Sequence, residues 1–524
     1  MNQSESRPAN DLSDGSFDSA DARVETYGII RETGKRIAKY SAYIFVSTIL
    51  LKGIVFLQSI VVARLLGPGQ LGMLSIVMSL GAIVSGFSGF GMTFAVVRIL
   101  PEYRLREPRK VDDTLIAFFW LSIITTLPVL GLYALLDPLI SVGLYNEPQL
   151  MYLIYLWIAG AMVKTFSYMF PSVLQAFQKI GLLAKLAVVL GTIGATTSIV
   201  FVWLYGLPGA LYASIVTPVV TIGIYSYVLR KKARRFVRSL LRFDRAIASR
   251  LLRVGGGILL SGIFFGIAMW YGMTILQRSA AFEDVGYFRV AFGVTTVVLM
   301  IPATITMPFY PIIVESHSRD LKEGQAVLLN TAKYVMMLTF PLCLAFVFLS
   351  QVYIEVFYSA EFLPAAPLVA VVAGYSFLRA YNAITYHIYL LTERMSVYSI
   401  RNGLWFLGLF LMITLIVPTQ LAIGLVWSYF AMRALVISAD PLFFGKDYRL
   451  MSIIKLNWMC VLLGFLIVAS SFLLGQISLT HKILYYLAGM AAYAMVLNFV
   501  ILDRKDKEYI RDLVKSILRG KRER

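Results

Sequence analysis

Three cations stand where hydrocarbon is expected: Lys52, Lys164 and Arg379 each fall near the middle of a block of about twenty apolar residues. Holding such a charge at the centre of a bilayer costs roughly 2.5 to 3.5 kcal/mol on insertion scales, so each needs water or a partner. Helical spacing shows what shares their faces. Thr48, Lys52 and Ser59 form one stripe; Lys164, Ser167, Tyr168, Pro171 and Gln175 form another; Arg379, Asn382, Tyr386 and His387 form a third. Polar stripes of this kind suit a water-filled cavity. No Asp or Glu lies in the central part of any apolar block, so an incoming anion is the natural counter-charge. Arg289, nearer the end of its block, extends the cationic path, whereas Arg98, Arg401 and Arg433 lie close to block ends, where long side chains snorkel to the surface. The structural alternative for each central cation is a hydrogen bond to carbonyls of a neighbouring helix, and His387 by itself reads as a satisfied polar residue rather than a proton carrier.

The elements that position these residues are membrane helices. Of the 524 residues, 59% are hydrophobic and 15% charged, and the apolar ones cluster in long blocks rather than in a 3.6-residue stripe. Crossing about 30 Å of hydrocarbon at 1.5 Å per residue takes about 20 residues. The sequence supplies that length about fourteen times, at 40–62, 71–97, 114–135, 150–174, 182–203, 209–228, 252–276, 287–313, 334–349, 367–390, 397–417, 421–437, 456–474 and 483–502. The expected fold is therefore all-α and polytopic. Cys343 and Cys460 lie inside apolar blocks and read as small hydrophobes, with no disulfide, metal site or cofactor expected. Pro171, Pro218, Pro302, Pro308, Pro311 and Pro341 interrupt blocks and predict kinks.

The net charge of +19 is a topology signal rather than a sign of nucleic-acid binding, because Lys and Arg collect in alternate loops. One side carries Arg104 to Lys110, Lys179, Lys185, the run from Arg230 to Arg245, Arg319, Lys322, Arg394, Lys446, Arg449 and the basic tail after Arg504. The positive-inside rule places these in the cytoplasm, with both termini. The other side holds Arg64, Arg278 and Lys482, together with Asp137, Glu147, Glu355 and Glu361. Tyr509, Ile510, Leu513, Val514, Ile517 and Leu518 make an amphipathic stripe in the tail, and Phe236, Val237, Leu240 and Leu241 a shorter one, suited to an anionic leaflet.

An internal duplication organises the chain. Arg64 and Gly72 in ARLLGPGQLGMLSIVMSL have the same spacing as Arg278 and Gly286 in LQRSAAFEDVGYFRVAFGV, at the same kind of outer junction. The expected organisation begins with a disordered cytoplasmic tail at 1–39, its polar stretch Met1 to Asp21 rich in Ser, Asp and Asn. A first six-helix lobe at 40–229, a basic linker at 230–251 and a second lobe at 252–438 follow. Two further helices at 439–503 and a basic amphipathic tail at 504–524 complete the chain. Parallel lobes enclose a cavity at mid-bilayer, and rocking one against the other opens it to alternate sides.

VVARLLGPGQLGMLSIVMSL, followed by VVRILPEYR, resembles the start of polysaccharide and oligosaccharide flippases of the multidrug/oligosaccharidyl-lipid/polysaccharide (MOP) exporter superfamily, and FEDVGYFRVAFGV with MPFYPIIVESHSRDLKEG is similar to the matching second-lobe segments. The resemblance runs from about residue 40 to about residue 502. It implies a two-lobed, MATE-like fold that flips a polyprenyl-diphosphate-linked oligosaccharide to the outer leaflet of the cell membrane. Lys52, Lys164, Arg289 and Arg379 would then hold the diphosphate. The implied partners are that lipid-linked oligosaccharide, membrane lipids and glycan-assembly proteins. Two alternatives stay open: a MATE-like exporter of drugs or metabolites, which would want cavity carboxylates, and a membrane glycan polymerase or ligase, which would want a sizeable outer loop with catalytic acids or histidines. No GxxxxGK[ST] loop is present, so direct ATP hydrolysis is not expected.

Overall fold

A computed structural model describes residues 18–87, 92–108, 110–177, 179–230, 243–305, 321–391, 394–443, 450–472 and 479–496. Among them every regular element is helical. The long helices of the first half are α1 (Asp18–Phe87), α2 (Met92–Arg106), α3 (Lys110–Pro138), α4 (Gln149–Ser167), α5 (Met169–Ala176), α6 (Ile180–Tyr205) and α7 (Leu207–Val228). The second half holds α8 (Arg245–Ser279), α9 (Phe282–Val298), α10 (Leu321–Phe348), α11 (Ser350–Phe357), α12 (Ala366–Leu391), α13 (Met395–Phe443), α14 (Leu450–Phe472) and α15 (Leu479–Val496). Nine segments among the described residues are long and apolar enough to cross a membrane. Two of them, Val46–Gly81 and Ser396–Phe443, each contain parts of two of the blocks expected from sequence. Residues 18–39, read from sequence as tail, are already helical. Pro308, Pro311 and both amphipathic stripes lie outside the described residues.

The breaks inside α1 and α13 turn each into a pair of arms. In α1 the break is Gly67 (φ 71°), followed by Pro68. In α13 it is Leu421 (φ 53°, ψ −138°), whose backbone matches that of Gly206 (φ 62°, ψ −138°) at the α6–α7 turn. Glycine adopts this region without a Cβ penalty; leucine is strained there. The two turns also pack alike. A Cβ at Gly209 would overlap the Phe201 carbonyl oxygen, and one at Gly424 would lie 3.1 Å from the Ile416 carbonyl oxygen. Each residue of the second turn follows its counterpart by 215 positions.

The outer junctions close on each other reciprocally. A Cβ at Gly72 would overlap the backbone carbonyl of Phe282, and one at Gly286 would overlap the backbone carbonyl of Pro68. In both pairs the carbonyl belongs to the residue four after the matched arginine, Arg64 or Arg278, and the glycine to the residue eight after it. Such an exchange is what a two-fold relation between the junctions produces. Arg64 adds a tie by donating from Nε to Tyr358 O (2.8 Å) and from Nη2 to Val356 O (2.5 Å), capping carbonyls at the end of α11. Tyr145 and Thr274 share a hydrogen bond of 2.6 Å between the two halves.

The largest apolar core joins α1, α4, α8, α9, α10, α12, α13 and α14, with α12 at its centre against α9, α10, α13 and α14. A second core sits among α2, α3, α5 and the first turns of α8, where Ile247, Ala248 and Leu251 pack. Asp244 caps α8 by accepting from Ala246 N (2.8 Å) and Ile247 N (3.1 Å). Arg250 then bridges to Glu102 (2.8 Å) and the Tyr103 hydroxyl (3.0 Å). α8 therefore begins in the core of the first half and ends in that of the second.

Candidate functional site

On α4, Met151, Tyr152, Tyr155 and Met162 form one exposed face, as lipid contact requires. Lys164 lies on the opposite face, in line with buried Leu153, Trp157 and Gly160, and yet it is exposed. Exposure on the inward side of a helix marks internal open space. Tyr168 follows one turn later, also exposed, with the Lys164 ammonium 5.6 Å from its ring centroid. Pro171 accounts for the break there, since a proline ring clashes with the carbonyl four residues back, that of Ser167, where α4 ends with Tyr168 between it and α5. Ser167 itself is buried, its hydroxyl donating to Lys164 O.

α1 follows the same pattern. Leu50, Leu57, Val61 and Leu65 form its exposed apolar face. Thr48, Lys52 and Ser59 lie on the other side, in line with buried Ala63 and Leu66. Thr48 and Lys52 are half-buried, whereas Ser59 is exposed and donates to Phe56 O.

In the second half the open strips are narrower. α9 is buried around most of its circumference, but Arg289 and Thr296 are exposed and Gly293 partly so, along a single line between buried Phe292 and Gly286. On α12, from Leu368 to Tyr389, every residue is buried except Arg379, Ala383, Tyr386 and His387. The Arg379 guanidinium sits 4.8 Å from the Phe265 ring centroid. His387 Nδ1 lies 3.1 Å from Ala383 O, and Tyr386 packs edge-on to His387 and Tyr398. Asn382, expected on this stripe, is instead buried and holds Arg401 (2.6 Å).

Lys52, Lys164, Arg289 and Arg379 thus face partly open positions on four helices, α1, α4, α9 and α12. Among the described residues no hydrogen bond or ion pair joins any two of them, and none of the four pairs with a carboxylate. Among the described residues no group of three or more His, Cys, Asp or Glu is placed to hold a metal ion.

Two sequence expectations are corrected. Arg401 and Arg433 do not snorkel: they are 1% and 5% exposed. Arg401 ion-pairs with Asp440, which is fully buried, through Nε and through Nη2 (3.0 Å). Hydropathy ends the twelfth block at Ile437, whereas α13 continues to Phe443, so an acid assigned to no span becomes a helical partner. Asp137, assigned to an outer loop, is likewise buried where α3 meets the π-helical segment Leu139–Leu144, bonded to Ser141 with its second oxygen unpartnered. The side chain of Arg98 lies outside the described residues. Arg433, expected to snorkel, instead carries its guanidinium 4.6 Å from the Trp405 ring centroid.

A family profile described as polysaccharide biosynthesis protein matches residues 37–317, more than half of the chain. No curated protein matches it. Among solved structures, a MOP superfamily transporter from Pyrococcus furiosus, reported with a binding pocket of reverse polarity that suggests a different function, is 16% identical. Its TM-score is 0.54, over 83% of this chain and 96% of that one. A mutant of the Vibrio cholerae MATE transporter VcmN is 15% identical with a TM-score of 0.54, over 83% and 98%. An inward-facing multidrug resistance MATE family transporter of the MOP superfamily is 16% identical with a TM-score of 0.52, over 84% and 96%. At these identities the likeness is one of fold.

Proposed function

Because this chain belongs to the polysaccharide biosynthesis protein family and has the fold of MOP-superfamily transporters, we propose that it flips a polyprenyl-diphosphate-linked oligosaccharide from the cytoplasmic to the outer leaflet of the cell membrane. The observation that carries the reading is the set of cations, Lys52, Lys164, Arg289 and Arg379, at open positions on inward helix faces without paired carboxylates. An anionic diphosphate completes them, the glycan crosses within the cavity, and the lipid tail stays in hydrocarbon. Flipping breaks no bond; it needs only differential binding in two states of the transporter. Both termini face the cytoplasm by the distribution of basic residues.

The test is transport of a fluorescent short-chain lipid-linked oligosaccharide in proteoliposomes, beside deletion of the gene and analysis of lipid-linked glycan left on the cytoplasmic leaflet. Lys52→Gln, Lys164→Gln and Arg379→Gln each lower flipping while the protein stays in the membrane. Normal transport by all three variants would remove the anion-binding role.

A cation-coupled exporter of drugs or metabolites is the second reading, favoured by buried Asp137 with its unpartnered oxygen. Under that reading Asp137→Asn abolishes transport and the three lysine and arginine variants leave it intact.

A further inference from the structure

Among the described residues, the buried hydrogen-bond groups of the second half that lack partners include Arg433 Nε, Arg401 Nη1, Trp405 Nε1 and the Tyr375 hydroxyl. All four belong to one neighbourhood. Arg433 stacks on Trp405 and lies within electrostatic range of Tyr375, Arg401 and Arg379. Each of the four can donate, three of them only donate, and a donor buried without an acceptor is unfavourable. Asp440 is bonded to Arg401 through Nε and Nη2, and no hydrogen bond from Arg433, Trp405 or Tyr375 reaches it among the described residues.

Charge and shape point the same way. Arg401 and Arg433 lie within electrostatic range of one carboxylate, Asp440, and Arg379 lies within range of Arg433, so the neighbourhood carries two positive charges in excess, the complement of a diphosphate diester. Phe265 and Trp405 stack with ring planes 15° apart and centroids 6.3 Å apart. Arg379 sits against the first ring and Arg433 against the second, so the stacked pair of rings carries two guanidiniums within electrostatic range of each other. A ring steadies a guanidinium but accepts none of its in-plane hydrogen bonds, leaving the planar fork that binds phosphate oxygens in pairs. Arg379 is the partly open member on the α12 strip; Arg433 is the buried one behind it.

We propose that Arg433 and Arg379, supported by Trp405 and the Arg401–Asp440 pair, form an anion subsite for the diphosphate of the lipid-linked passenger. This deepens the flippase reading and rests on it. Arg433 contributes its binding when a ligand reaches past Arg379, and in the empty protein it is an unsatisfied charge.

The experiment uses the full chain in phosphatidylcholine nanodiscs, with farnesyl diphosphate as the lipid-diphosphate probe and Trp fluorescence and thermal unfolding as readouts. Wild type binds the probe and is stabilised by it. Arg433→Gln weakens binding by about tenfold or more, yet without ligand it unfolds no earlier than wild type, because an unpaired buried charge is gone. Arg433→Lys, which keeps the charge but loses the fork, falls between them and serves if the glutamine variant does not fold. Equal affinity in wild type and Arg433→Gln overturns the subsite and leaves the flippase reading standing. Failure of wild type to bind any diphosphate overturns both. Inorganic pyrophosphate binding as tightly as the probe, or competition by phosphatidylglycerol in the disc, assigns the site to a free anion or a membrane headgroup and overturns the lipid-diphosphate assignment.

Discussion

Arg401 and Asp440 stand 39 positions apart on one helix and meet as a buried ion pair, because the break at Leu421 folds α13 into two nearly equal arms. Arg401 and Asp440 stand 20 and 19 residues from the break, about 30 Å along each arm at 1.5 Å per residue, so they come level. Asn382 of α12 completes the set, and Tyr381 bonds to Asn457, whose amide donates to Ile437 O (2.8 Å), tying α12 and α13 to α14. Asp440→Asn removes the counter-charge from a guanidinium that has no other acidic partner among the described residues, and stability falls by about 3–5 kcal/mol. Replacing both partners by Met and Leu costs far less, since no charge is left behind. Thermal unfolding of the three variants in nanodiscs checks this, and equal losses for the single and double changes would refute it.

The reciprocal glycines make a second, paired prediction. Gly72→Ala pushes a methyl into the Phe282 backbone and Gly286→Ala pushes one into that of Pro68; backbone cannot move aside as a side-chain tip can. Each variant loses about 1–3 kcal/mol, by similar amounts, because the two contacts are equivalent. Gly131→Ala, where nothing lies within reach of the added methyl, is the control. Unfolding midpoints that separate the pair from the control support a two-fold junction; a loss at one glycine alone does not.

How much of this the sequence carried depends on distance along the chain. Lys52, Lys164 and Arg379 can be picked out because a charge inside an apolar block is visible locally, but spacing alone does not settle their neighbours: Ser167 and Asn382, expected on the same stripes, are buried. The matched Arg and Gly spacings were legible too, although only the structure shows each glycine against the other junction's carbonyl. Arg401, Arg433 and Asp440 were not legible. Their partners come from a fold-back at Leu421, a residue whose type gives no warning of positive φ, and hydropathy stopped the block before Asp440. Asp137 was missed for a related reason, since an acid at the end of an apolar block looks like a loop residue until the helix is seen to continue past it.

The equivalence of Gly206 and Leu421 predicts a stabilising substitution. Leu421 holds a backbone conformation that costs about 1–3 kcal/mol with a Cβ present. Leu421→Gly releases that strain, offset by about 0.5–1 kcal/mol of added chain entropy in the unfolded state. The side chain is 38% exposed, so little packing is lost. The variant unfolds later than wild type, and Gly206→Leu unfolds earlier. Circular dichroism melts of both decide it; a lower midpoint for Leu421→Gly would show that the side chain, not the backbone, governs this turn.

Charge reversal separates an electrostatic role for Lys52 and Lys164 from a packing one. Against a fixed anion, Lys→Gln changes the local charge by one unit and Lys→Glu by two, so the logarithm of the loss doubles: where the neutral variant transports about tenfold more slowly, the acidic one transports about a hundredfold more slowly. Both residues are at least partly exposed, so higher salt narrows the gap. A residue that merely fills space responds alike to Gln and Glu, which are close in volume, and ignores salt. Initial flipping rates for the four variants at low and high ionic strength measure the difference, and equal rates for the Gln and Glu forms would assign Lys52 and Lys164 to packing.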